Sequence, residues 1–148
     1  MVGRPRKTTR RTVAQAAPPS QPAPSLDQLP SGTDLNEWPR TWMGFPKDVP
    51  PGEKIVACFR PFLTHLIQLH LSRKTLRKHV NNLWVLGGEI IRKLNDTPSL
   101  RKVSIDDLVF DVVEDGGPLP YGCDSEEEGR SFESTCRKLR RFLEQQAR

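Results

Sequence analysis

The sequence predicts an all-α fold, a compact bundle of four to five helices behind a basic, Pro-rich N-terminal arm. Three observations carry that expectation. Apolar residues recur at helical spacing from Ile55 to Leu94 and again from Phe132 to Leu143. Serines placed to cap a helix precede three of the periodic stretches, at Ser72, Ser104 and Ser125. No alternating apolar–polar run is long enough to make a strand, and there is no internal repeat.

Taken in order, residues 1–36 combine Pro18, Pro19, Pro22 and Pro24 with Gln, Ser, Thr and Ala. They hold too little apolar surface to offset the entropy of ordering and are expected to be disordered. Residues 37–148 form the domain. Its first stretch, residues 37–51, interleaves Trp38, Trp42 and Phe45 with four prolines. It reads as an extended aromatic arm that packs across the bundle or serves a protein partner. A first helix is expected over about residues 52–69, with Ile55, Phe59, Phe62, Leu63, Leu66 and Leu69 on one side. Pro61 lies inside it and predicts a kink or a split. Ser72 then caps a second helix, whose buried side holds Leu76, Val80, Leu83 and Leu94. Gly87-Gly88 weakens that helix by about 1 kcal/mol per residue, which predicts a break or a close crossing by another helix. Asn95-Asp96-Thr97-Pro98 ends it. Ser104 and Asp107 open a short third helix containing Leu108, Val109 and Val112. A Gly116-Gly117-Pro118 turn follows, and Ser125 with Glu128 starts a last helix striped by Phe132, Cys136, Leu139 and Leu143.

Charge is blocked along the chain rather than mixed. The whole carries +5, yet residues 1–12 are +5, residues 60–102 are +7, residues 103–128 are −9 and residues 129–148 are +4. Separated blocks make an oriented field, suited to a polyanion met by one face only. No apolar run reaches the roughly 20 residues of a membrane span and no signal-peptide pattern opens the chain, so a cytoplasmic protein is expected, nucleoid-associated in a bacterium, with no membrane partner. Cys58, Cys123 and Cys136 are odd in number and widely spaced, which reads as reduced thiols, with Cys58 and Cys136 in the core.

The second helix is the candidate nucleic-acid surface. Arg73, Lys74, Arg77 and Lys78 occupy its first two turns, where the free helix amides also favour phosphate. Asn81 and Asn82 follow, and a side-chain amide can pair bidentately with adenine. Catalysis finds no support. His65, His70 and His79 lack the i, i+4 spacing of a helical zinc site, no CxxC pair occurs, and there is no glycine-rich phosphate loop. The expectation is a non-enzyme with no cofactor and no metal.

Phe62-Leu63, Leu66, Leu71-Ser72, Thr75-Leu76, His79 and Leu83 together resemble the N-terminal core-binding (SAM-like) domain of tyrosine recombinases and phage integrases. Val103-Ser104-Ile105-Asp106-Asp107-Leu108 is similar to the short capped helix that closes that domain, and the likeness covers about residues 53–113. It implies a helical bundle that clasps double-stranded DNA, with backbone contacts from Arg73, Lys74, Thr75, Arg77 and Lys78. The family's catalytic domain has no counterpart, and the only tyrosine, Tyr121, sits in a Gly/Pro turn. What the resemblance implies is therefore a stand-alone, non-catalytic domain serving a mobile element or transcription. At the N-terminus Gly3-Arg4-Pro5-Arg6-Lys7 resembles an AT-hook, which implies Arg4, Arg6 and Lys7 in an A·T minor groove. The competing expectation is a protein-interaction module that uses the acidic segment 106–128 and Trp38, Trp42 and Phe45, with no nucleic-acid role.

Overall fold

A computed structural model describes residues 25–120 and 125–146, and every regular element among them is helical. Five α-helices follow one another: α1 (Trp38–Trp42), α2 (Val49–Gln68), α3 (Arg73–Asp96), α4 (Ile105–Val112) and α5 (Glu126–Gln146). Short 3-10 turns at Leu26–Gln28, Pro46–Asp48, Pro98–Lys102 and Glu114–Gly116 join or flank them. α2 packs on α1, α3 and α4, and α3 packs on α5. Ile55, Phe59, Phe62, Leu63 and Leu66 of α2 meet Leu83, Leu86, Ile90 and Leu94 of α3, Val109 of α4 and Leu139 of α5 in one core. Both long stripes expected from the helical period are thus buried, apart from Leu69, which is exposed at the end of α2. Among the described residues no helix is long and apolar enough to cross a membrane.

Three expectations change, and a fourth is decided between its two alternatives. Residues 25–36 are ordered. Ser25 caps the first 3-10 turn, Leu26 and Leu29 pack against the core, and Leu35 is buried. The fold therefore begins before Glu37, because three leucines spaced through the polar stretch suffice to anchor it; residues 1–24 lie outside the described chain. Trp38–Trp42 is a helical turn rather than an extended arm, with Pro39 at its start, where a missing amide costs nothing. Pro61 does not split α2. Pro61 and Ala57, four residues earlier, are both exposed, so the helix bond that the proline cannot make lies on the outer side of α2 and not in the core. Lastly, α3 runs unbroken through Gly87-Gly88. The close-crossing alternative is the one observed: the Trp42 indole lies against Gly87, and its Nε1 donates to the Trp84 carbonyl at 2.9 Å.

A polar clasp closes the end of the bundle opposite the α2–α3 turn. Asp48 is wholly buried at the start of α2. Its Oδ2 accepts from the Gly44 and Phe45 amides and from Asn95 Nδ2, and its Oδ1 accepts from Arg101 Nη2 at 2.8 Å. Arg101 Nη2 also donates to Asn95 Oδ1 at 2.7 Å. Burial alone would raise the carboxyl, but the Arg101 guanidinium and the three further donors outweigh it and hold the pKa at about 2. One side chain thereby ties the turn before α2 to the end of α3.

Candidate nucleic-acid interface

α2 and α3 are joined by a tight turn, Leu69–Ser72, in which His70 takes the left-handed region at φ 55°. Ser72 is extended, and its hydroxyl accepts from the Thr75 amide at 3.1 Å while donating to Thr75 Oγ1 at 2.9 Å. That cap fixes where α3 begins and so which residues fill its first two turns. Arg73, Lys74, Arg77 and Lys78 are all exposed, the first turn holds no acid, and none of the described ion pairs involves them. Asn81 is exposed on the turn that follows. Thr75 is half-buried with its hydroxyl engaged by Ser72, which makes it part of the cap.

Asn82 belongs elsewhere. Its Nδ2 lies within 3.1 Å of Ser131 O and Oγ and 2.9 Å from Thr135 Oγ1, so the amide expected to read bases holds α3 to α5. Asn81 and Asn82 are equivalent in sequence, but one residue of helix is a rotation of about 100°, enough to turn the second towards the bundle. His79, one turn earlier, is buried with Nδ1 2.8 Å from the same Thr135 hydroxyl. Burial, followed by the charge of Lys138, pushes its pKa below the ordinary histidine value of 6.5.

These contacts set the register of the two helices. His79 meets Thr135 and Asn82 meets Ser131, so α3 and α5 run antiparallel. The basic start of α3 therefore lies beside the second half of α5, where Lys138 and Arg141 are exposed. The acidic start of α5, Glu126-Glu127-Glu128, lies towards the other end of α3. Lys138 and Arg141 were not singled out from the sequence. The signal was present in the run Arg137 to Arg141, but only the fold shows which of its cations are occupied. Arg137 pairs with Glu133, while Arg140 pairs with Glu144 and covers the Phe110 ring at 3.7 Å.

Gln28 and Pro30 share a groove of about 350 Å³ with His70, Leu71 and Arg73. The described chain thus starts next to the basic end of α3. Arg4, Arg6 and Lys7 of the AT-hook-like stretch lie outside the described residues, as do Cys123 and Tyr121. Of the aromatic residues considered for a partner, Trp38 is buried, Trp42 is wedged against α3, and Phe45 stays exposed with Lys47 Nζ 5.4 Å from its ring centre. Asp106, Asp107, Asp111, Glu114 and Asp115 of the acidic segment are exposed. Cys136 is buried, whereas Cys58 is half-buried rather than fully in the core. His65 stacks on Phe62 and meets Phe142 at a tilt, and no group of His, Cys, Asp and Glu among the described residues could hold a metal ion.

Comparison with known proteins returns no matching family model, no matching curated protein and no matching solved structure.

Proposed function

We propose that this protein binds double-stranded DNA without catalysis, through the first two turns of α3 and the neighbouring face of α5. The observation that carries the reading is the set of six exposed cations, Arg73, Lys74, Arg77, Lys78, Lys138 and Arg141, borne by two antiparallel helices and unmatched by any described ion pair. A single helix start with four basic residues is a common solvated surface. Two helices bringing their cations to the same end, with the acidic run at the opposite end, make a directional field that a phosphate backbone satisfies. The free amides at the start of α3 add donors to the same surface. The described chain enters the fold beside Arg73, and Arg4, Arg6 and Lys7 precede that entry in the sequence, adding to the positive charge available for DNA.

With Asn82 engaged inside the bundle, Asn81 is left as the one asparagine on this face that can reach a base edge. Phosphate contacts then outnumber base contacts, so binding is sequence-tolerant or weakly specific. The Leu-Ser-x-x-Thr junction and its cap are compatible with a domain of the integrase core-binding type, acting for a mobile element or in transcription. Titration against mixed-sequence and A·T-rich duplexes at two salt concentrations tests the reading. Binding at low salt that falls steeply with ionic strength is expected, and no binding to either duplex at low salt contradicts it.

A further inference from the structure

A second surface stands apart from the basic one in its chemistry. α2, α4 and α5 enclose an open groove of about 620 Å³, floored by Cys58, Phe110, Phe142 and Leu143 and edged by Asp106 and Asp107. We propose that this groove docks an amphipathic helix of a partner protein that carries Lys or Arg beside its apolar stripe.

Three features of the groove select that occupant. Its floor is apolar and rigid. The Phe110 ring is held from one side by the Arg140 guanidinium at 3.7 Å, and Arg140 Nη1 donates to the Phe110 carbonyl at 3.0 Å. The volume takes a few large side chains from one face of a helix, which is the geometry of helix-in-groove recognition. Its rim is acidic. Asp106 and Asp107 are exposed, no described ion pair involves either, and Asp106 lies close enough to the Cys58 thiol to help burial push its pKa up to about 12. A cationic side chain is their complement, and an acidic segment is repelled. The wall also offers a backbone acceptor. Pro61 has no N–H to give the Ala57 carbonyl, and both residues are exposed and line the groove. A Lys or Arg donor from the partner takes the place of that missing amide.

The experiment uses the full chain and a synthetic Leu/Lys peptide with Leu at helical i, i+3, i+4 and i+7 positions, against the same peptide with Glu for Lys. The expected result is that the Lys peptide binds, that the Glu peptide does not, and that amide shifts cluster at Ala57–Pro61 and Asp106–Phe110. Changing Asp106 and Asp107 together to Asn weakens binding by about 3- to 10-fold, the value of two exposed charge pairs. Pro61→Ala provides a variant whose folding is not in question, because it restores the missing helix bond. It should raise the melting temperature while lowering peptide affinity. Equal binding of both peptides, no binding of the Lys peptide, shifts that map to Met43, Phe45 and Trp84, or affinity unchanged in both variants overturns the proposal. So does a concentration-dependent dimer that the Asp106/Asp107 change abolishes, since the occupant is then a second copy of this chain.

Discussion

The Trp42 indole occupies the space in which any residue other than glycine at position 87 would place its Cβ. A Cβ there would lie 2.6 Å from Trp42 Cε2 and closer still to Cζ2, while the same ring stands 3.5 Å from a Cβ on Gly88. The two adjacent glycines thus serve different ends. Gly87 admits α1 against α3, and Gly88 is an ordinary helical position filled by a residue of low helix propensity.

Alanine separates them. Gly88→Ala should stabilise the fold by up to about 1 kcal/mol, the helix-propensity gain with no steric cost. Gly87→Ala gains the same propensity but displaces a rigid ring that is also hydrogen-bonded to Trp84, an overpacking cost of about 1–3 kcal/mol or more. It should come out destabilising. Denaturant midpoints of the two variants moving in the same direction would contradict the packing described.

Acid sensitivity follows from Asp48. Its folded pKa of about 2 lies below the ordinary 3.8, so its contribution is complete above that ordinary value and is lost as pH falls through about 2. The contribution is of order 2 kcal/mol. Urea unfolding at pH 7, 4 and 2 should show most of this loss between the last two. Asp48→Asn should flatten that limb and lower stability at pH 7 by about 3 kcal/mol, because Arg101 loses its counter-ion. An unchanged acid limb in the variant would place the titration elsewhere.

Asn81 and Asn82 make a paired test of what the fold adds to the sequence. Asn82→Ala removes the one amide that bonds the Ser131 carbonyl, the Ser131 hydroxyl and the buried Thr135 hydroxyl across the α3–α5 contact, and should cost about 1–3 kcal/mol. Asn81→Ala should leave stability within about 0.5 kcal/mol, as an exposed substitution does. On the proposed function, only the Asn81 variant changes DNA affinity while fully folded. Equal melting temperatures for the two variants would refute the assignment of Asn82 to the α3–α5 contact.

How much of this was legible beforehand depends on the kind of signal. The burial of Leu83, Leu94 and Leu139 follows from helical period alone, and the Ser72 and Ser104 caps follow from local chemistry, since a serine before an apolar run has few other uses. What escaped were relations between distant segments. Asp48 reads as a surface acid until Arg101, 53 residues later, is seen to meet it. Asn82 and Asn81 differ only in which neighbour α5 supplies. Lys138 and Arg141 join the basic face only because α5 runs antiparallel to α3, a register that no local pattern encodes. Leu26, Leu29 and Leu35 were too widely spaced to show a period, yet each reaches the core.

That last point changes where the chain can be cut. Removing residues 1–24 should leave the melting temperature within a few degrees of the full chain while weakening DNA binding, because the arm carries Arg4, Arg6, Lys7, Arg10 and Arg11. Removing residues 1–36 should also destabilise the fold, since Leu35 is buried and Arg60 loses its bond to Asn36. Burying a leucine contributes about 1.5–3 kcal/mol, which makes the second truncation clearly separable from the first. Equal melting temperatures for the two truncated chains would show that residues 25–36 do not pack as described.

The most direct test of the central claim is the salt dependence of DNA affinity in a chain with Lys74, Arg77 and Lys78 all changed to Gln. Glutamine keeps helix propensity nearly constant, and exposed basic residues contribute little to stability, so the variant should melt where the original does. If the start of α3 lies on phosphates, affinity falls for all sequences alike, and the slope of log affinity against log salt shrinks by up to about 3. An unchanged affinity and slope in the folded variant would contradict the account.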